Sequence, residues 1–333
     1  MKELLQKLTQ TPGPSGYESA VRDIIRAEIK PYAKDVKVDA LGNLIVKIGK
    51  KTEGGLRIMV AAHMDEIGLM VSHVEKNGAL RFSNLGFVMP RYLPGSRVRF
   101  LNGVRGVIDS VKPEDITKIQ PLNQFFIDVG CNSDKDCPVK PGDVAVFDRE
   151  FTDLGQRVTS KALDDRSSCA LLVEAIKAIK GTPHELNLVF SVQEEVGSRG
   201  ATTAAYGLDV DLGLALDVTP VGQLMGVKLQ VELGKGPAIK VRDVGYLADS
   251  SVVNWMIDSA KKLKMPYQME VLDIGSTDAR VMQLSKAGMP SGVLSLPCRY
   301  VHSPSEMIDM VDYENSLKLL LNLLSQPVNL RKE

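Results

Sequence analysis

Residues Leu186 to Asp217 read LNLVFSVQEEVGSRGATTAAYGLDVDLGLALD, and their pattern decides the fold. The apolar run 186–192 predicts a buried strand. A glycine-flanked turn follows, carrying Glu194, Glu195, Gly197 and Ser198. Residues 199–206 predict a short helix, and 212–217 a second buried strand that ends in Asp217. Strand, helix and strand in that order are α/β patterning. The alternation extends outward, with predicted helices over 164–180, 249–264 and 311–325 and a strand over 291–296. Upstream, Met1–Leu8 is an amphipathic helix closed by the turn cluster Thr9–Gly16. Residues 18–30 resume helical spacing, and strands follow near 36–38, 44–48 and 58–62.

Residues 69–158 have a different character. Short alternating segments such as Arg97–Phe100 and Val144–Phe147 are punctuated by Pro90, Pro94, Gly95, Gly103, Gly106, Pro141 and Gly142. Dense short strands between turn signals predict a small β-barrel or sandwich, of barrel or PDZ-like type. The organisation expected is a discontinuous α/β catalytic domain, residues 1–68 and 159–333, with a mixed sheet and helices on both faces. The β-rich span 69–158 is inserted into it and is expected to mediate assembly.

Lys plus Arg and Asp plus Glu both number 41 in the 333 residues, so the formal net charge is zero. That balance argues against nucleic-acid or membrane-surface partners and is compatible with self-association. No window is apolar enough for a membrane span, and the N-terminus lacks a signal-peptide core, so the expectation is a cytoplasmic protein. Cys131, Cys137, Cys169 and Cys298 form no Cys-x-x-Cys pair, and a disulfide framework is not expected.

Five segments carry candidate chemistry. IMVAAHMDEIG (58–68) is a strand ending in His63-x-Asp65; imidazole is a common metal ligand, and a carboxylate two residues on can orient its other ring nitrogen. SKALDDRS (160–167) opens a helix with two tandem acids, of which one suffices for a cap and Asp164 is then free to bind cations. Arg166 is expected to neutralise part of that charge. The remaining three are the Glu194–Glu195 pair, Asp217 and His302 in RYVHSPSEM (299–307). Alone, each has an ordinary reading: a surface pair, a helix cap, a turn acid or a loop histidine. Together His63, Asp164, Glu195, Asp217 and His302 make five ligand candidates, with Glu194 left over. This nitrogen and oxygen set suits zinc, cobalt or manganese better than calcium. If one carboxylate bridges, five groups serve two ions with three contacts each, an arrangement known for hydrolysis. His73 and His184 read as surface or packing residues.

The segments AAHMDEIGLMV (61–71), KALDDR (161–166), SVQEEVGSRGA (191–201), ALDVTP (215–220), GSTDA (275–279) and YVHSPSEM (300–307) resemble the glutamyl and tetrahedral aminopeptidase family of dinuclear metallo-aminopeptidases. FIDVGCNSDKD (126–136) and VKPGDVAVFDREF (139–151) are similar to it as well. The resemblance implies two divalent ions per subunit, zinc or cobalt, bridged by Asp164. His63 and Asp217 would complete one, Glu195 and His302 the other. It further implies Glu194 as catalytic base, Asp65 as the residue orienting His63, peptide substrates with a free N-terminus, and a dimer-based homododecamer. Ser198, where related sequences often carry a bulkier residue, is expected to shape the pocket, as is the 275–279 loop.

Two rival readings remain. A glycoside hydrolase built on paired carboxylates leaves both histidines unexplained. A non-catalytic metal-binding assembly protein leaves Glu194 unexplained.

Overall fold

Four apolar strands lie parallel and adjacent, in the order Glu185–Ser191, Arg57–His63, Leu212–Pro220 and Ser291–Arg299. Their side chains alternate between two buried layers. Ile58, Val60 and Ala62 face one, and Met59 and Ala61 face the other. Burial on both faces explains why these strands read as continuous apolar runs instead of alternating ones. The computed structural model describes residues 1–112, 115, 117–224, 227–328 and 330.

Helices Lys2–Gln10, Ser19–Ile29, Leu163–Ala178, Ser250–Lys262 and Met310–Ser325 contribute to the larger layer. Helices Arg199–Gly207 and Ala279–Gln283 cover the opposite face. Leu163–Ala178 is buried around most of its circumference, as a helix at the centre of a layer must be. Antiparallel strands extend both edges, giving an 11-stranded mixed sheet. Leu44–Ile48 and Asp35–Val38 lie at one edge; Glu306–Asp309, Arg157–Ser160 and Thr152–Asp153 lie at the other.

Two central strands run further than their apolar patterns predict, to Pro220 and Arg299. Their parallel register continues through Thr219↔Pro297 and Pro220↔Cys298. Proline normally signals a strand end, because it lacks the ladder donor; here pairing of the two strands outlasts that signal.

The six strands between Gly68 and Phe147 close into an antiparallel barrel around Leu69, Val98, Phe100, Ile108 and Ile127. The β-rich expectation for this region thus resolves as a barrel. Thr152–Asp153 and Arg157–Ser160 pair with the main sheet and not with the barrel. All four cysteines are free thiols. His184 is buried, with its ring between the Leu56 amide and the Gln326 carbonyl, which makes it a packing residue. No helix among the described residues is long and apolar enough to cross a membrane.

Candidate metal centre

The carboxyl ends of the four parallel strands converge on one place, the edge where open α/β sheets bind ligands. Arg57–His63 ends at its own histidine. Glu185–Ser191 delivers the Glu194–Glu195 turn. Asp217 lies within Leu212–Pro220, and Ser291–Arg299 leads directly to His302. The start of helix Leu163–Ala178 brings in Asp164.

Asp164 lies between the two imidazoles. Its Oδ1 is 3.1 Å from His63 Nε2, and its Oδ2 is 3.2 Å from His302 Nε2. Asp217 Oδ1 is 4.0 Å from His63 Nε2, and Glu195 Oε2 is 3.3 Å from His302 Nε2. All five residues named from sequence therefore meet in one cluster. The helix-cap reading of Asp164 fails, because its carboxylate is turned to the two imidazoles and its backbone angles are non-helical.

The cluster fits divalent cations. Asp164, Asp165, Glu194, Glu195 and Asp217 crowd around only two imidazoles, and buried carboxylates at such spacing repel unless a positive charge joins them. Glu195 Oε1 and Asp165 Oδ1 are buried without a hydrogen-bond partner. Donor atoms of His63, Asp164 and Glu195 lie close enough to share an ion, as do those of His63, Asp165 and Asp217. Asp165 is thus an acid at the site that sequence reading left as a spare cap; its Oδ2 accepts the His63 amide at 3.3 Å.

The electrostatics follow from this crowding. Burial alone would lower the His63 pKa, but Asp164 and Asp65 hold it well above the ordinary value. Burial, then the charges of Asp278, Asp217 and Glu195, push Glu194 well above the usual carboxylate range. Burial and neighbouring acids push Asp278 up to about 6.

Glu194 and Glu195 diverge because Asp65 holds their backbone. Asp65 Oδ1 accepts the Glu194 amide at 2.9 Å and Oδ2 the Glu195 amide at 3.1 Å. Glu195 then turns to His302, while Glu194 Oε1 accepts a hydrogen bond from Ser198 Oγ at 3.1 Å. Asp65 meets His63 Nδ1 chiefly through its carbonyl oxygen, at 3.2 Å, with its carboxylate at 3.4 Å. Arg166 does not do what was expected of it. Its ion pair is with Glu66, and it donates to the carbonyls of Met64, Leu8, Thr11 and Gly13, tying the N-terminal segment down.

Several supporting residues were not visible in the sequence. Glu306 Oε2 accepts the Asp164 amide at 2.9 Å and Oε1 the His302 amide at 2.8 Å, so one buried carboxylate joins both ligand-bearing loops. It lies within the quoted 300–307 motif, four residues after His302, which was the available signal. Ser15 Oγ donates to Asp65 Oδ2 at 2.7 Å, and Glu18 Oε1 accepts the Gln193 amide at 3.1 Å. Both come from the segment around 9–18 that reads only as a turn and a helix start.

A cavity of about 460 Å³ opens on the cluster. Glu194, Ser198, Lys240, Arg280 and the 275–277 loop line it, as the family resemblance implied for Ser198 and the loop. Phe87 and Met89, from the span expected to serve assembly alone, line it too, and the Phe87 ring lies 6.1 Å from the His302 ring.

The chain is similar over most of its length to known proteins. The chain is 45% identical to a putative aminopeptidase of Acetivibrio thermocellus over 97% of this chain and 98% of that one. It is 36% identical to the lysyl aminopeptidase of Pyrococcus furiosus, over 97% and 96% of the two chains. The solved TET1 peptidase of Pyrococcus horikoshii, which assembles into a tetrahedron or an octahedral shell, superposes with a TM-score of 0.88 at 36% identity, covering 98% of this chain and 99% of that chain. The M42 glutamyl aminopeptidase family model matches residues 42–319, and the chain belongs to that family of metal-dependent peptidases.

Proposed function

We propose that this aminopeptidase removes N-terminal residues from peptides at a two-ion centre, with Glu194 as general base. The observation that carries the reading is the position of Asp164, one oxygen towards each imidazole. His63, Asp164 and Asp217 would hold one ion; Asp164, Glu195 and His302 would hold the other. The mixed imidazole and carboxylate set favours zinc or cobalt. Bound there, such ions acidify water and polarise a carbonyl oxygen.

The remaining chemistry belongs to the chain. Glu194 is not needed as a ligand, and its side chain lies in the cavity, braced by Ser198. Placed there, it can take a proton from the attacking water and pass it to the leaving amine nitrogen. Asp65 and Glu306 position the ligands through the backbone. The acid-rich wall favours a substrate that brings a positive α-amine over one whose terminus carries a bulky neutral blocking group.

The test is one short peptide offered with free and with acetylated N-terminus, with and without chelator, followed by mass spectrometry. Stepwise loss of N-terminal residues from the free peptide alone, abolished by chelator, is the expected result. Internal cleavage, or equal cleavage of the acetylated form, sinks the exopeptidase reading.

We further propose that the chain forms a dimer-based dodecamer in which the barrel strands of the span 69–158, up to Phe147, act as the assembly domain, since the segments after 151 pair with the main sheet. The tetrahedral and octahedral particles of the Pyrococcus horikoshii relative motivate this. Light scattering on the purified protein should give the mass of about twelve subunits; a monomer rules it out.

A further inference from the structure

A second, oppositely charged region adjoins the catalytic cavity. Pro220 and Val301 line the cavity and also line a neighbouring recess of about 190 Å³. Arg91, Tyr92, Arg299 and Tyr300 form the rest of its prominent wall. Tyr92 and Tyr300 continue into a third recess of about 400 Å³, where Arg149 lies. Among the described residues no carboxylate lines either recess. The catalytic cavity, by contrast, is lined by Asp164, Glu194, Glu195 and Asp217. Lys240 and Arg280 line that cavity too, so acids outnumber the two cations there, whereas beyond Pro220 and Val301 the charged residues are arginines alone.

The guanidinium groups are poised for an anion. None of Arg91, Arg149 and Arg299 forms an ion pair among the described residues. Arg91 is steadied by Tyr92, with its guanidinium carbon 4.6 Å from the ring centroid and a 2.7 Å hydrogen bond to the phenol oxygen. Arg299 ends the strand that leads to His302, so one short segment carries both a ligand candidate and a cation. Between them Tyr300 is held at φ 58°, a left-handed conformation that a bulky residue adopts only when its surroundings require it. It leaves Tyr300 half exposed at the boundary of both recesses.

We propose that Arg299 and Arg91 form a subsite for a carboxylate downstream of the scissile bond, and that its main occupant is the C-terminal carboxylate of a short peptide. This rests on the exopeptidase reading above. A short unblocked peptide is a dipole, with an ammonium at one end and a carboxylate at the other. The wall presents acids to the first and arginines to the second, and guanidinium pairs with carboxylate through two parallel hydrogen bonds. The enzyme then prefers short peptides with free C-termini.

The test uses di- to hexapeptides with a common N-terminal residue, each as free acid and as C-terminal amide. Wild-type enzyme should favour the free acid, with kcat/KM about two- to fivefold higher at the best length, the size expected for partly exposed ion pairs. The preference should shrink as salt is raised. In Arg91→Ala/Arg299→Ala the acid-to-amide ratio should fall to about one. The ratio is taken on a single preparation, so the folded fraction cancels. A second arm offers the amide with one downstream residue changed to Glu. Recovery of the preference there assigns the subsite to side-chain carboxylates as well. Equal treatment of acid and amide at every length by wild type, or a preference that survives the double substitution, overturns the proposal. Failure to release N-terminal residues from any peptide would instead overturn the exopeptidase reading.

Discussion

Glu194→Gln should keep its metal and lose its turnover. The expected fall in kcat is on the order of 10²–10⁴-fold, the range that a general base contributes. Glutamine matches glutamate in shape and can still accept the bond from Ser198 Oγ. The two amide bonds to Asp65 come from the backbone and are indifferent to the change. What disappears is the proton acceptor. Metal content measured beside the kinetics decides the assignment: a variant that loses metal would show that Glu194 and Glu195 exchange roles. A second readout follows from charge. Burial and neighbouring acids raise the Glu194 pKa in the metal-free fold above its unfolded value. A group with a raised folded pKa stabilises most below its unfolded pKa, and that contribution is lost as pH rises through the folded pKa. Glutamine mimics the protonated form at every pH. Metal-free Glu194→Gln should therefore be at least as stable as wild type at neutral pH and above, by thermal unfolding. A clear loss of stability would contradict the crowding of acids described here.

The main elements and the five ligand candidates were legible in the sequence for one physical reason. Buried parallel strands need unbroken apolar runs, open α/β sheets bind ligands at the carboxyl ends of such strands, and His63, Glu195, Asp217 and His302 stand just beyond or at the close of those runs. Polar residues where an apolar run ends are conspicuous. The supporting residues were not legible because their partners are backbone amides distant in sequence. Glu18 meets the Gln193 amide, and Glu306 meets the Asp164 amide. No local period marks such a pairing. Arg166 misled for a related reason. Its neighbours in sequence are Asp164 and Asp165, but a side chain in the first turn of a buried helix is aimed by the helix, and here it reaches Glu66 and four carbonyl oxygens. Phe87 and Met89 lie in a stretch whose pattern reports only the barrel, while their contribution to the cavity depends on how the barrel meets the sheet.

Asp164→Ala should remove metal and activity together. Asp164 is the one residue of the cluster within 3.2 Å of both imidazoles, so its loss removes a donor from each proposed ion at once. Substituting even an outer-shell partner typically costs 10–100-fold in metal affinity. Deleting a shared donor should exceed that, giving a drop of more than about 100-fold in affinity for at least one ion and residual activity of roughly 1% or less by the same scale. The helix itself should survive. Asp164 turns its carboxylate to the two imidazoles, and the Glu306 carboxylate accepts the backbone amide of residue 164, which alanine retains. Circular dichroism should therefore be unchanged in the metal-free state. Thermal shift on adding zinc or cobalt gives a readout independent of catalysis. A ligand at 100 times its dissociation constant stabilises the fold by about 2.7 kcal/mol. Wild type should show a rise of that order, and Asp164→Ala should show most of it gone at the same metal concentration. Two ions retained at wild-type affinity would mean that the carboxylate serves only to hold His63 and His302 apart, and the bridging assignment would have to be abandoned.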